Sequence, residues 1–472
     1  MNLTEIISLL APEVFLTAML VGLLLLKIFA ENMKRGTVLT LISVLFFTAT
    51  VLSLFMRSNG SLFGTMFITS PIIGIEKAIL LLATFIISLQ AFQWLTTFRN
   101  YIEFYILLIS ILLGMFIMIS AGHFLTFYLG LEMATIPLAA LAAFDTDKAR
   151  SGEAGMKLIL SSAFSSGVLL MGISFIYGTC GTLYFDEVHS LYAGSTLQLA
   201  GFVFLVAGFA FKISVVPFHL WTADVYEGSP VAVTAFLSVV SKGASVFIFM
   251  GTLYKVFGMI NGTWVYLLCI LAVATMVIGN LFAIRQQNIK RFLAFSSITQ
   301  AGYILVGITS GTIQGTASVV YFMLVYLFSN LAAFTVVSVI ADKTGKENIS
   351  DYNGLYKTNP KLSVAMMLAM FSLAGIPPTA GFFGKWFLLA SGMTTGIFTL
   401  IIIASLNLVV SLYYYLRVVK AMFVDHNEMP VEYIRSSNAS RIGLIICSAA
   451  IVLTGFFSFV YQYIYSFSSG IQ

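Results

Sequence analysis

Apolar runs long enough to cross a bilayer recur along the whole chain, separated by short polar connections. A helix spanning the hydrocarbon core takes about 20 consecutive apolar residues. About 14 runs meet that length, centred near residues 20, 46, 82, 111, 132, 167, 210, 243, 274, 302, 328, 375, 408 and 452. The longest polar connections, about Asp342 to Lys361 and Asp425 to Arg441, are too short for a soluble domain. The pattern predicts an all-α polytopic membrane protein of about 14 transmembrane helices.

Two runs are interrupted. The seventh, Leu199 to Pro230, contains Pro217, and the twelfth contains Pro377 and Pro378 among Gly375, Gly381 and Gly384. A proline inside a helix removes one donor and frees the carbonyl four residues earlier, here that of Ile213. At membrane depth such a break is tolerated only where protein or trapped water satisfies the freed group. Helices 7 and 12 are therefore expected to be broken around a hydrated interior. Five spans separate them, an odd offset that places two units in opposite orientation, as paired broken helices in transporters do. The expected organisation is one membrane domain over residues 1–472. Helices 1–3 occupy 1–100, a first repeat of helices 4–8 occupies 103–255, a second, inverted repeat of helices 9–13 occupies 264–424, and helix 14 occupies 440–466.

Composition agrees with the pattern. Of 472 residues, 59% are hydrophobic and 9% charged, with a mean hydropathy of +0.99; a soluble chain carries about 25% charged residues. The net charge of +5 is no sign of nucleic-acid binding, because in membrane proteins the placement of Lys and Arg matters more than their sum. Odd-numbered connections hold Lys34, Arg35, Arg99, Lys148, Arg150, Arg285, Lys290, Arg291, Lys343, Lys346, Lys357, Lys361, Arg417, Lys420, Arg435 and Arg441, and even-numbered ones little beyond Arg57 and Lys255. Both termini are expected on the non-cytoplasmic side. With no basic residue before Lys27 and no small-residue cleavage site, the first run reads as a retained span. Cys180, Cys269 and Cys447 lie far apart in apolar surroundings and read as packing residues, with no metal or cofactor site in the chain.

Four ionisable groups sit mid-run with no loop to escape to: Glu132, Lys212, Lys242 and Lys385. A lysine at bilayer depth costs about 3 kcal/mol on insertion scales unless it faces a polar interior. Glu132 beside Lys212 would gain about 4 kcal/mol at 4 Å with an effective dielectric of 20, and separating them favours proton release from the amine. The four form a candidate proton axis. The competing reading is a set of static ion pairs that glue helices, against which stands the excess of lysine over glutamate; Lys212 alone has the further alternative of snorkelling to an interface. His219, two turns after Lys212, reads either as a proton relay on the same helical face or as a satisfied interior histidine. Lys157 is four residues from Glu153, and a local helical pair accounts for both. Lys290 and Arg291 read as topology determinants, and His123 as interfacial.

The stretches FKISVVPFHLWTADVYEGSP, VTAFLSVVSKGA, NIKRFLAFSSITQAGY and AGIPPTAGFFGKW resemble the proton-translocation signature of the antiporter-like membrane subunits of respiratory complex I, the bacterial proton-pumping NADH:quinone oxidoreductase. The similarity runs from end to end. TAFLSVVSKGA points to the N-type branch, since the L and M branches and multi-subunit sodium/proton antiporters typically carry histidine and other residues there. The resemblance implies a charged pair of Glu132 and Lys212 in one half-channel, Lys242 as the connecting central lysine and Lys385 as the exit-side lysine. It implies a multi-pass protein of the bacterial inner membrane whose partners are other membrane-arm and peripheral-arm subunits. FMN, iron–sulfur clusters and the quinone site are then expected in those partners, with no redox centre in this chain. A subunit of a multi-subunit cation/proton antiporter or of a membrane-bound hydrogenase is the alternative, and a membrane scaffold a third. Two departures, GSPVAVTAF in place of a threonine-proline pair and Ser241 where a proline often precedes the lysine, bear on the backbone of the eighth span.

Overall fold

The computed structural model describes residues 3–29, 33–55 and 58–471; Arg57 of the topology argument lies outside them. The chain opens with α1 (Leu3–Leu9), α2 (Ala11–Phe29) and α3 (Arg35–Phe55), then a short antiparallel hairpin, β1 (Gly60–Leu62) with β2 (Phe67–Thr69), pairing Gly60 with Thr69 and Leu62 with Phe67. The hydropathy pattern gave no sign of this hairpin, which closes a small apolar cluster of Leu9, Leu62 and Phe67. There follow α4 (Pro71–Thr97), α5 (Tyr101–Ile119), α6 (Phe124–Ala142), α7 (Ala149–Cys180), α8 (Phe185–Leu191), α9 (Thr196–Ile213), α10 (Leu220–Gly228), α11 (Val231–Phe236) and α12 (Lys242–Lys255). The second half comprises α13 (Asn261–Arg285), α14 (Ile289–Ile308), α15 (Ile313–Thr344), α16 (Leu355–Thr358), α17 (Pro360–Ala374), α18 (Ala380–Gly392), α19 (Phe398–Phe423), α20 (Asn438–Phe456) and α21 (Phe459–Phe467).

Among the described residues, thirteen helical spans are long and apolar enough to cross a membrane. The remaining run, the twelfth, near residue 375, is two shorter helices, α17 and α18, meeting at a break. The spans divide by burial. Val231–Lys255, α14 and α15 are almost wholly enclosed, whereas α2, α19 and α20 keep most of their surface on the outside, where lipid is the expected neighbour. Close helix contact is bought with small residues. A Cβ on Gly114 of α5 would meet the backbone of Ala134 at 2.6 Å, and one on Gly130 of α6 the backbone of Met118 at 2.6 Å, the small-residue packing that lets membrane helices approach.

The two broken runs end their first half-helices identically. Ser214 (φ 67) and Gly375 (φ 85) take the left-handed conformation after α9 and α17. Val215 N–H bonds to Ala210 C=O at 2.7 Å and Ile376 N–H to Phe371 C=O at 2.9 Å, while Ser214 and Gly375 bond back to Phe211 and Ser372. Both are Schellman ends, and both are followed by a cis X-Pro bond, Val216–Pro217 and Pro377–Pro378. The helix thus stops four residues before Pro217, and the carbonyl rescued by a side chain is that of Phe211 rather than Ile213, bonded by Trp221 Nε1 at 3.1 Å. Other features recur in both halves. His123 and Asn288 cap α6 and α14 through their side chains, and each sits in an isolated antiparallel bridge, with Tyr184 and Asn348. The helices that follow, α7 and α15, both run for 32 residues and close on a left-handed glycine, Gly181 or Gly345.

Candidate functional site

Lys212 occupies the last turn of α9, where the Schellman end aims its side chain at α6. Its Nζ donates to Thr135 Oγ1 at 2.7 Å. Glu132 is three residues earlier on α6, one of its carboxylate oxygens is buried without a hydrogen-bond partner, and no ion pair joins it to Lys212. Tyr128, one turn before it, lies close to the carboxylate. The fold therefore brings α6 and the end of α9 together, but the hydroxyl that holds Lys212 is that of Thr135, which itself donates to the Leu131 carbonyl at 2.7 Å.

A cavity of about 30 Å³ lies beside this contact, lined by Thr135 and Lys212 on one side and by Ser241 and Ser245 on the other. It is large enough for one water molecule. Ser241 and Ser245 flank Lys242, which is 2% exposed and donates to Ser297 Oγ at 2.9 Å and Ser297 C=O at 3.4 Å. The ring of Tyr226 faces the ammonium at 6.0 Å. Directly before Lys242 the helix widens into a π turn, Leu237–Ser241, at the very segment where a proline is missing from the sequence. Such bulges redirect side chains and cluster at functional sites. Nearby Ser238 bonds to Tyr326 at 3.0 Å and accepts from Asn330 at 2.6 Å.

Ser297 and Gln300 are three apart on α14, hence on one face. Gln300 donates to Tyr415 at 2.9 Å and to the Leu373 carbonyl at 3.1 Å. The same carbonyl receives Lys385 Nζ at 2.6 Å, and Ala374 C=O receives it at 3.3 Å. Lys385, 2% exposed, stands 5.0 Å from the centre of the Tyr303 ring. An ammonium at the negative end of α17 is favourably placed for the helix dipole. Gly381 makes the approach of α18 possible: a Cβ there would meet Ser372 C=O at 1.7 Å. A polar line thus runs from Thr135 and Lys212, through Lys242 and Ser297, to Gln300, Leu373 and Lys385. None of the three lysines has a carboxylate partner.

His219 departs from the sequence expectation. The left-handed turn at Ser214 interrupts the helix, so the spacing of two turns no longer sets it on the face of Lys212. It is buried at the start of α10 with Nδ1 unpartnered. Lys157 does pair with Glu153, at 2.7 Å, but also with Asp224 of α10 at 2.8 Å. Arg291 exceeds a topology role: it binds Asp224 and Glu227, both at 2.8 Å, and Lys290 is buried against Glu347 at 3.0 Å. His123, read as interfacial, is buried, accepts from Leu125 N–H at 3.1 Å and stacks edge-on with Tyr184 at 4.6 Å.

Sequence reasoning missed a second group of buried charges. Lys77 bonds to Glu13 at 2.6 Å and faces the rings of Phe67 and Phe116, and Glu76 beside it is 1% exposed. Adjacent Glu and Lys opening an apolar run look like interface residues; the contact of Lys77 with Glu13 and with Phe67 of the hairpin could not be read from hydropathy. On the side of the Lys- and Arg-rich connections, a cavity of about 440 Å³ is lined by Asp145, Lys148, Glu227, Lys290, Asp342 and Glu347, among others.

An all-helical membrane fold with two discontinuous spans and buried lysines along a polar line defines an antiporter-like membrane subunit. Residues 121–411 match the family described as NADH:quinone oxidoreductase/Mrp antiporter, TM. NADH-quinone oxidoreductase subunit N of Phocaeicola vulgatus is 50% identical over 466 residues, 98% of each chain. A chain of respiratory complex I from Thermus thermophilus superposes with a TM-score of 0.78 at 26% identity, covering 94% of this chain and 96% of that one. A chain of the Mrp complex from Dietzia sp. shares the fold, with a TM-score of 0.87 at 20% identity and coverage of 100% and 97%. The chain belongs to the NADH-quinone oxidoreductase subunit N family.

Proposed function

We propose that the protein is a proton-translocating membrane-arm subunit of an NADH:quinone oxidoreductase, and that Glu132, Lys212, Lys242 and Lys385 carry the proton. The observation that carries this reading is the set of neutral partners: hydroxyls and backbone carbonyls hold all three lysines, and none is locked by a carboxylate. A buried ion pair fixes its charges in place; an amine held by neutral dipoles can exchange its proton when a neighbouring charge changes. Unit charges 10 Å apart at an effective dielectric of 20 repel by roughly 2 kcal/mol, so a proton reaching one lysine displaces the equilibrium of the next. Movement of Glu132 toward or away from Lys212, whose ammonium is held by Thr135, supplies the input.

In this reading α5–α12 and α13–α19 act as two inverted units, with the breaks after α9 and α17 as their counterparts. Electron transfer from NADH, with FMN and iron–sulfur clusters, and the quinone site belong to partner subunits. In this reading the Lys- and Arg-rich connections face the cytoplasmic side of a bacterial inner membrane, with both chain termini opposite.

The test is reconstitution of the whole complex carrying Lys242→Met. NADH oxidation should continue at a reduced rate with fewer protons moved per electron pair. Unchanged pumping would remove Lys242 from the path. The antiporter reading is the alternative that the family description also names; sodium-dependent exchange by the purified chain with its membrane partners would select it.

A further inference from the structure

Away from the polar line, α17 and α20 diverge at the end that carries Lys361 and Arg441, and leave a cavity of about 850 Å³ between them. Its rim holds both cations together with Tyr356 and Tyr433, and its floor is apolar, formed by Val364 and Leu368 of α17 and Ile445 and Ala449 of α20, among others. Lys361 makes no ion pair among the described residues; Arg441 has only Ser436 Oγ, at 3.1 Å from its Nε. No carboxylate lines the cavity. The acid nearest in sequence, Glu432, is exposed outside it, and its backbone carbonyl accepts from Asn359.

We propose that this cavity binds one anionic phospholipid of the surrounding membrane, its phosphodiester between Lys361 and Arg441 and the upper part of an acyl chain against Val364, Leu368 and Ile445. The charge pattern selects the occupant. Two unpaired cations with tyrosines at one level, above an apolar slot between two outward helices, match a headgroup at the interface and a chain beneath it. Arg presents a fork that suits two phosphate oxygens, and Lys adds a point charge. With no carboxylate in the lining, both cations are left to an occupant that carries its own negative charge. The proposal relies on the membrane reading of α17 and α20 but not on proton translocation.

The test compares the whole complex, unsubstituted and with Lys361→Gln plus Arg441→Gln, in nanodiscs of phosphatidylcholine containing spin-labelled phosphatidylglycerol. The unsubstituted complex should immobilise more of the labelled lipid than the double variant, with affinity falling roughly fivefold for each cation removed. Ala449→Trp fills the floor without touching a charge and should weaken binding as well; Lys361→Arg should preserve it. Equal immobilisation in the unsubstituted complex and all variants would overturn the proposal. So would Ala449→Cys forming a cross-link to another subunit, because a protein then occupies the slot. Coupled proton pumping should be near normal in every variant; its failure alone would bear on the functional reading and leave lipid binding to be judged by the spin label.

Discussion

The Lys212 ammonium lies 2.7 Å from the Thr135 hydroxyl, and Thr135 stands one helical turn from Glu132 on α6. The lysine expected to pair with a carboxylate is thus held by a neutral hydroxyl, with no ion pair to Glu132. Thr135→Val keeps the shape and removes the oxygen, leaving a buried donor unmatched at a cost of about 1–3 kcal/mol. Proton pumping per electron pair in the reconstituted complex should fall, and Thr135→Ser should restore it. Equal pumping in the valine variant would mean that the hydroxyl only packs.

Ser297 is the hydroxyl partner of Lys242 and shares a face of α14 with Gln300. Ser297→Ala should slow coupled turnover while the electron-transfer activity of the detached peripheral arm is untouched. Lys242→Met removes the exchanging group itself and is expected to cost roughly 10²-fold in the proton-transfer step. Proton uptake measured by a pH-sensitive dye in proteoliposomes ranks the two.

Lys385 has a structural duty as well, because it satisfies the Leu373 and Ala374 carbonyls at the break. Lys385→Met should lower both assembly and pumping. Lys385→Gln can still donate to a carbonyl but carries no exchangeable ammonium. It should assemble near normally and fail to pump; if it pumps, Lys385 acts only as a cap.

Asp224 ties α10 to α7 and α14 through Lys157 and Arg291. These pairs are partly exposed, so each contributes about 0–1 kcal/mol. Asp224→Asn should loosen α10, seen as faster hydrogen exchange over Leu220–Gly228, with a smaller loss of activity than any substitution of the buried lysines.

The His123 cap carries a pH dependence. Burial lowers its pKa from 6.5, opposed by the charge of Glu187. The folded state therefore favours the neutral ring, and the contribution present above about pH 6.5 is lost as pH falls toward the lowered value. Hydrogen exchange at the start of α6 should quicken below pH 6.5, and His123→Asn, which keeps an acceptor, should abolish that acid sensitivity. An unchanged pH profile in the variant would assign it elsewhere.

The sequence by itself determined the membrane class, the number of crossings, the two broken spans and three of the buried charges, Lys212, Lys242 and Lys385, while it passed over Glu76 and Lys77. Each of these follows from one-dimensional signals: run length against bilayer thickness, proline within an apolar run, an ionisable residue far from any loop. It also carried the family, through the stretches around Lys212, Lys242 and Lys385. What a charge meets across helices was beyond it. Only tertiary structure placed Thr135 rather than Glu132 against Lys212, turned Asp224 into the anchor of α10, and set Lys77 against Glu13 and the hairpin's Phe67. It also aligned the two breaks, setting Asp224 on α10 where Lys385 stands on α18, although the lysines lie on opposite sides of their prolines in sequence. The reason is physical: a left-handed turn or a π turn rotates every later side chain, and which partner it then faces depends on other helices packing against it at close range.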